Sequence, residues 1–181
     1  LETPVLDDEL ETLLNKAARA PSGGNVQPWR IYVINGSRMD DFKTHLKNFS
    51  LSESEYPIYP PKLEEPYRTN RFELGEEMYE LLGIPREDKA ARLANMSKNY
   101  DFFGAPAAFF CFIDRSMGAA QWSDLGMFLQ TFMLLAEESG LSTCAQEAWA
   151  NRPVSVAEFV GADSELMLFC GMAIGYRDDS K

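Results

Sequence analysis

The sequence predicts a single domain that mixes helices with short buried strands, and three observations support it. The chain has 181 residues, the size of one domain around one core. Several stretches repeat apolar residues at spacings of three and four, as amphipathic helices do. Three others, at 31–34, 107–113 and 166–176, are apolar runs bounded by turn residues, as buried strands are.

Composition narrows the class further. Apolar residues make up 45% and charged residues 25% of the chain, which excludes disordered, collagenous and low-complexity proteins. A chain this long buries roughly 70% of its unfolded surface and needs no disulfide or metal staple. The formal net charge is -11, a field that repels phosphate backbones and anionic lipid, so neither nucleic acid nor a membrane is an expected partner. No apolar run reaches the roughly 18 residues of a membrane span. The first twenty residues are acidic and amphipathic and do not read as a signal peptide. Cys111, Cys144 and Cys170 are widely spaced and lack a C-x-x-C pair, so three reduced, mostly buried thiols in a cytoplasmic protein are expected.

Taken in order, Leu10, Leu13, Leu14, Ala17 and Ala18 predict a first helix, opened near Asp8 and Glu11 and stopped by Pro21. A polar loop, Ser22 to Pro28, leads into the strand at 31–34, which Asn35-Gly36 ends. Met39, Phe42, Leu46 and Phe49 predict a second helix. Residues 50–70 read as a long surface loop, because Pro57, Pro60, Pro61 and Pro66 interleave with Tyr56, Tyr59 and Tyr67. Loops that long usually cover something, although a passive excursion is the alternative. Helices follow at 74–82 and 88–99. The run at 107–113 predicts a strand covered on both faces. From Trp122 to Glu138 the helical pattern is apolar nearly all round, so this helix is central or lies at a subunit interface, and Gly140 ends it. Gly171 and Gly175 sit within the last strand, where glycine marks a bulge or a close backbone approach.

For chemistry, the negative findings prune hard. The sequence has neither a G-x-x-x-x-G-K-[ST] nor a G-x-G-x-x-G motif. It has no H-E-x-x-H or cysteine cluster for a metal. The lone His45 reads as a solvated helix residue and leaves a Ser-His-Asp triad without its base. An enzyme of this composition would rely on an organic cofactor. Two segments are candidates to hold one. In the first, Ser22 offers a hydroxyl, Gly23 and Gly24 a close backbone, and Asn25 and Gln27 amides; the alternative is a helix-end loop that merely satisfies itself. The second, Thr143 to Trp149, sets small residues beside Glu147 and Trp149, as a tight loop or as a plain connector between helices.

Together the two segments resemble a known family. Ala18-Arg19-Ala20-Pro21-Ser22-Gly23-Gly24-Asn25-Val26-Gln27-Pro28-Trp29 is similar to the signature loop of the FMN-dependent nitroreductases. Gly104-Ala105-Pro106, Gln121 to Met127 and Gln146-Glu147-Ala148-Trp149 resemble its nitrobenzoate-reductase-like branch, in order along nearly the whole chain. The resemblance implies an α+β fold with a mixed, mostly antiparallel sheet sandwiched between helices. It implies one nitroreductase-like domain over residues 1–181, in an intertwined homodimer with FMN at the interface. Pro21, Ser22, Gly23 and Asn25 match flavin-contacting positions, commonly from the neighbouring subunit, and Gln27 belongs to the same motif. Glu147 and Ala148 match the place where a main-chain N–H faces flavin N5 and a small residue admits the ring. Lys98 or Asn99 is a candidate for the flavin pyrimidine edge.

Two departures matter. Ala145 stands where family members often carry Pro. The basic segments that grip the FMN phosphate in the family, before residue 1 and beyond Lys181, are not in this sequence, so this chain is either a trimmed form, which we expect, or one that binds FMN weakly. The implied activity is ping-pong oxidoreduction, with NADH or NADPH as donor and a nitroaromatic or quinone-like acceptor. Tyr67, Arg68 and Arg71, with Tyr56 and Tyr59, are expected to form a lid over the acceptor within 50–70. A reductive dehalogenase on the same scaffold and a non-catalytic flavin-binding or structural dimer remain open alternatives.

Overall fold

The computed structural model describes residues 1–180. In chain order the elements are α1 (Asp7–Ala17), β1 (Arg30–Asn35), α2 (Ser37–Leu46), α3 (Tyr67–Leu81), α4 (Lys89–Ser97), β2 (Ala107–Asp114), α5 (Ala119–Glu138), β3 (Ser142–Gln146), α6 (Pro153–Val160) and β4 (Leu166–Gly175). Three 3-10 segments, Gly23–Asn25, Lys98–Gly104 and Glu147–Asn151, join them. The architecture is α+β. The strands form one sheet in the order β1-β2-β4-β3, with antiparallel ladders.

The uninterrupted apolar run of β2 follows from its place between two layers. Phe109, Cys111 and Ile113 point toward α1 and α5, where they meet Leu10, Leu13, Leu125, Phe128 and Phe132. Ala108, Phe110 and Phe112 point to the other face, with Phe42 of α2, Val156 of α6, Phe102 and Trp149. Alternate side chains along a strand face opposite ways, so a strand covered twice must be apolar at every position. Phe109, Phe110 and Trp149 are fully buried, each contributing about 1.5–3 kcal/mol of transfer free energy.

Close packing explains the two strand glycines. A Cβ on Gly171 would lie 2.3 Å from Cδ1 of Trp149, and one on Gly175 would lie 2.8 Å from Cδ of Pro106. Both are close-approach sites. A shift of register in the β2–β4 ladder falls instead between Cys111 and Phe112.

Several expectations need correction. The loop predicted for 50–70 ends at Pro66, and Tyr67, Arg68 and Arg71 belong to the first turns of α3. The segment before Glu147 is a strand, β3, held by pairing Ser142–Gln146 to 171–175 of β4. Helix α6, with Pro153 in its first turn, was not foreseen. Cys144 is exposed, unlike Cys111 and Cys170. His45 is not solvated: its Nε2 lies 2.9 Å from the Ser155 carbonyl, and its ring packs on Phe49 and Phe159. It helps to join α2 to α6.

The long loop is tied to the body. Tyr56 donates its hydroxyl to the Phe169 carbonyl at 2.5 Å and packs edge-on to Trp122. Glu55 pairs with Arg115 at 2.6 Å, and Ser52 donates its N–H to the Asn151 carbonyl. By contrast, α3 and α4 contain no buried residue. Arg92 joins them by pairing with Glu76 at 2.6 Å and lying 4.2 Å over the Tyr79 ring. Phe72, Leu74, Leu81 and Leu93 are all at least half exposed. Among the described residues no helix is long and apolar enough to cross a membrane.

Candidate functional site

The first predicted segment is a loop fixed from below. Its backbone turns through positive φ at Gly24 (59°), Asn25 (60°) and Gln27 (48°). For Asn and Gln that region is sparsely populated and persists only where surroundings enforce it. The enforcement is visible. Ser22 Oγ accepts the Gln27 N–H at 3.0 Å, and Asn25 N donates to the Ser22 carbonyl at 3.0 Å. The Gly23 N–H is shared between both oxygens of Asp124, at 3.2 and 3.3 Å. Trp29, closing the loop, stacks on Phe128 at 5.0 Å. Pro21, Gly23, Asn25 and Gln27 stay exposed and Ser22 is half-buried.

Asp124 was not singled out from the sequence. It is 4% exposed, one of few buried polar side chains, and sits on a helix face otherwise made of Leu125, Phe128 and Phe132. An acid inside an apolar stripe was the signal available, because a buried carboxylate needs a donor. Here the donor is the backbone of the loop.

The second segment is a corner where β3 runs into the 3-10 segment Glu147–Asn151. Gln146, 2% exposed, is its hinge pin. Its Nε2 donates to the Asn99 carbonyl at 2.9 Å and to Asn99 Oδ1 at 3.2 Å, and its Oε1 accepts from Trp149 Nε1 at 3.3 Å. Tyr100 donates its hydroxyl to the Ala148 carbonyl at 3.3 Å. Of the two flavin-edge candidates, Asn99 is thus anchored at this corner, while Lys98 is exposed. Glu147 is exposed and Ala148 half-buried. As the first residue of a helical turn, Glu147 has no intrahelical acceptor for its N–H. Tyr56 lies close by; burial pushes its phenol well above the ordinary value, with the Cys170 and Glu147 charges adding to the effect. It stays a neutral donor.

Within one chain the two segments remain apart. Among the described residues no hydrogen bond, ion pair or ring contact links Pro21–Gln27 with Glu147 or Ala148. A cleft of about 190 Å³ runs along β3, lined by Phe103, Pro106, Thr143, Cys144 and Gly175, and includes none of the predicted cofactor residues. Of the lid residues, Tyr67 is exposed, Arg68 is paired with Glu65 at 2.5 Å, and Arg71 lies 4.1 Å over the Tyr59 ring. Arg68, Arg71 and Tyr59, but not Tyr67, line a groove of about 770 Å³ between the proline-rich loop and α3.

Comparison with known proteins places the chain in a family. A model of the nitroreductase family matches residues 1–176. A 4-nitrobenzoate reductase of Pseudomonas putida is 35% identical over 99% of this chain and 80% of its own length. A nitrobenzene nitroreductase of Ectopseudomonas oleovorans is 32% identical over 99% of this chain and 82% of its own. The crystal structure of an FMN and NADPH-dependent nitroreductase, NfnB from Sphigopyxis sp. strain HMH, superposes with a TM-score of 0.93 at 40% identity, covering 99% of this chain and 83% of that one. The chain belongs to the nitroreductase family.

Proposed function

We propose that this protein is an FMN-dependent oxidoreductase that carries electrons from NAD(P)H to nitroaromatic or quinone-like acceptors. In this reading residues 1–181 act as one domain, in the cytoplasm, in a homodimer. The observation that carries it is the loop at Pro21–Gln27. Its backbone passes through positive φ at Gly24, Asn25 and Gln27 beside the Gly23 peptide that the buried Asp124 holds, and Asn25 and Gln27 are exposed. Backbone held in such conformations gathers where a ligand is to be met.

The residues present suit the cofactor. The exposed Asn25 and Gln27 amides and the Ser22 hydroxyl, beside the Gly23–Gly24 turn that lacks side chains, form a donor set matched to a polyol chain. The Glu147–Ala148 corner offers an N–H beside a methyl side chain, as a planar ring requires. When bound, FMN supplies two-electron transfer from NAD(P)H to the acceptor, in ping-pong order. The protein's part is to bind, orient and exclude water. Asp124 holds the Gly23 peptide. Gln146 and Tyr100 hold the Glu147–Ala148 peptides, so that the Glu147 N–H would meet ring N5 without reorganising. Tyr67, Arg68 and Arg71 would flank the acceptor. No side-chain acid is required, in keeping with His45 being engaged at the Ser155 carbonyl.

The homodimer is supported by the separation of the two segments in one chain, which a second copy would bridge. It is supported also by the exposed apolar residues of α3, α4 and α5, among them Leu74, Leu93 and Leu134. The names of the relatives support a nitroaromatic acceptor, and the related NfnB supports NADPH as donor. The test is NADPH consumption by the FMN-supplied protein with and without 4-nitrobenzoate. Oxidation that depends on the acceptor is expected. Consumption that is absent, or indifferent to the acceptor, would leave a flavin-binding or structural protein.

A further inference from the structure

On the side opposite the Asp124 clamp, the end of α2, the 3-10 segment Lys98–Gly104 and the start of α6 enclose a notch of about 420 Å³. Lys43, Lys47, Phe49, Tyr100, Asp101 and Arg152 line it. Three cations against one carboxylate leave two positive charges over, on a chain whose net charge is -11. Lys43 is spoken for, pairing with Asp101 at 2.8 Å. The other two cations have no carboxylate. Lys47 is exposed and unpaired among the described residues. Arg152 donates one terminal N–H to the Phe49 carbonyl at 2.7 Å and lies 4.9 Å over the Tyr100 ring. Its buried Nε has no hydrogen-bond partner.

Arg152 lines the notch, and the unpartnered N–H of its guanidinium carries a cost of burial. We propose that this notch binds a phosphate group, as free phosphate or as the phosphomonoester of a small metabolite. Two surplus charges match the dianion. A guanidinium fork beside an ammonium is the pairing that phosphate recognition uses, the first for direction and the second for charge. The notch contains none of Pro21–Gln27, Glu147 and Ala148; it meets the proposed cofactor site only through Tyr100, which bonds the Ala148 carbonyl, and the phosphate proposal does not depend on that reading.

The test is calorimetric titration with inorganic phosphate and, separately, with AMP. Sodium chloride holds the ionic strength, and FMN is kept at one fixed concentration so that its own phosphate is not the variable. Saturable binding in the millimolar range is expected. In Lys47→Glu, an exposed position where the fold should survive, affinity should fall about tenfold or more. Arg152→Gln should lose binding too, but it also removes the guanidinium bond to the Phe49 carbonyl, so Lys47→Glu decides. Binding of phosphate as tight as AMP supports the free ion, and tighter AMP supports a metabolite-borne phosphomonoester. No saturation by either up to about 20 mM, or equal affinity in Lys47→Glu, overturns the proposal.

Discussion

Gly171→Ala is the most revealing single change, because one methyl group tests both the core and the candidate site. The added Cβ would stand 2.3 Å from Cδ1, 2.8 Å from Nε1 and 3.0 Å from Cγ of Trp149. Ordinary contact begins about 1 Å farther out, so the indole must move. It has nowhere to go. Phe102 stacks on it at 4.5 Å, Phe110 and Tyr100 meet it edge-on at 5.2 and 5.4 Å, and its Nε1 is bonded to Gln146. Overpacking of this kind costs about 1–3 kcal/mol, and loss of the indole bond adds about 1 kcal/mol. Urea unfolding at fixed protein concentration should show a midpoint lowered by roughly 1–2 M with an unchanged slope. Trp149→Phe in the same chain should return part of that loss, a coupling expected only for residues in contact. A midpoint shift below about 0.25 M, or no coupling with Trp149→Phe, would refute the packing argument. Because Ala148 is bonded to Trp149, FMN affinity should fall along with stability.

The remaining predictions follow from individual contacts. Asp124→Ala leaves the Gly23 N–H without its acceptor and should cost about 1–3 kcal/mol, read as a urea midpoint. Asp124→Asn keeps an acceptor oxygen and should cost less; if both are neutral, the carboxylate does not hold the loop. The Arg92 bond holds Glu76 below the usual carboxylate range. Its stabilisation is therefore complete above the unfolded value, near 4.5, and is lost as pH falls through the lower folded value. Protection of α4 amides, taken relative to the intrinsic exchange rate at each pH, should fall below pH about 4.5, and Glu76→Gln should remove that pH dependence. Mixing Asn25→Ala and Ala148→Trp copies, at an FMN concentration too low to load either alone, should restore about a quarter of the wild-type rate. Half of the random dimers are hybrids, and each hybrid holds one intact site. Restoration near zero would mean that both segments serve a site within one chain.

What could be read from the sequence, and what could not, divides along packing. β2 was legible because two helical layers demand an apolar residue at every position. β3 was not: Ser142-Thr143-Cys144-Ala145-Gln146 lies at the sheet edge with only Gln146 buried, so no alternation marks it and its strand character comes from β4. The first turn of α3 was hidden for a similar reason, since every residue from Tyr67 to Arg71 is exposed and prolines crowd just ahead. The polar loop stood out by composition. Its clamp did not, because the bond from Gly23 to Asp124 spans 101 positions and local pattern carries no trace of it. His45 misled by its polar neighbours, whereas its partners, Ser155 and Phe159, lie on a helix the sequence did not reveal.

The most direct test of the account is a fluorescence titration of FMN with this chain. Binding through the loop and the corner predicts saturable quenching at one FMN per chain. The affinity should weaken about tenfold in Asn25→Ala, for the lost amide, and more in Ala148→Trp, where an indole would fill the space of the ring. FMN fluorescence that stays flat, or quenching that ignores both substitutions, would contradict it.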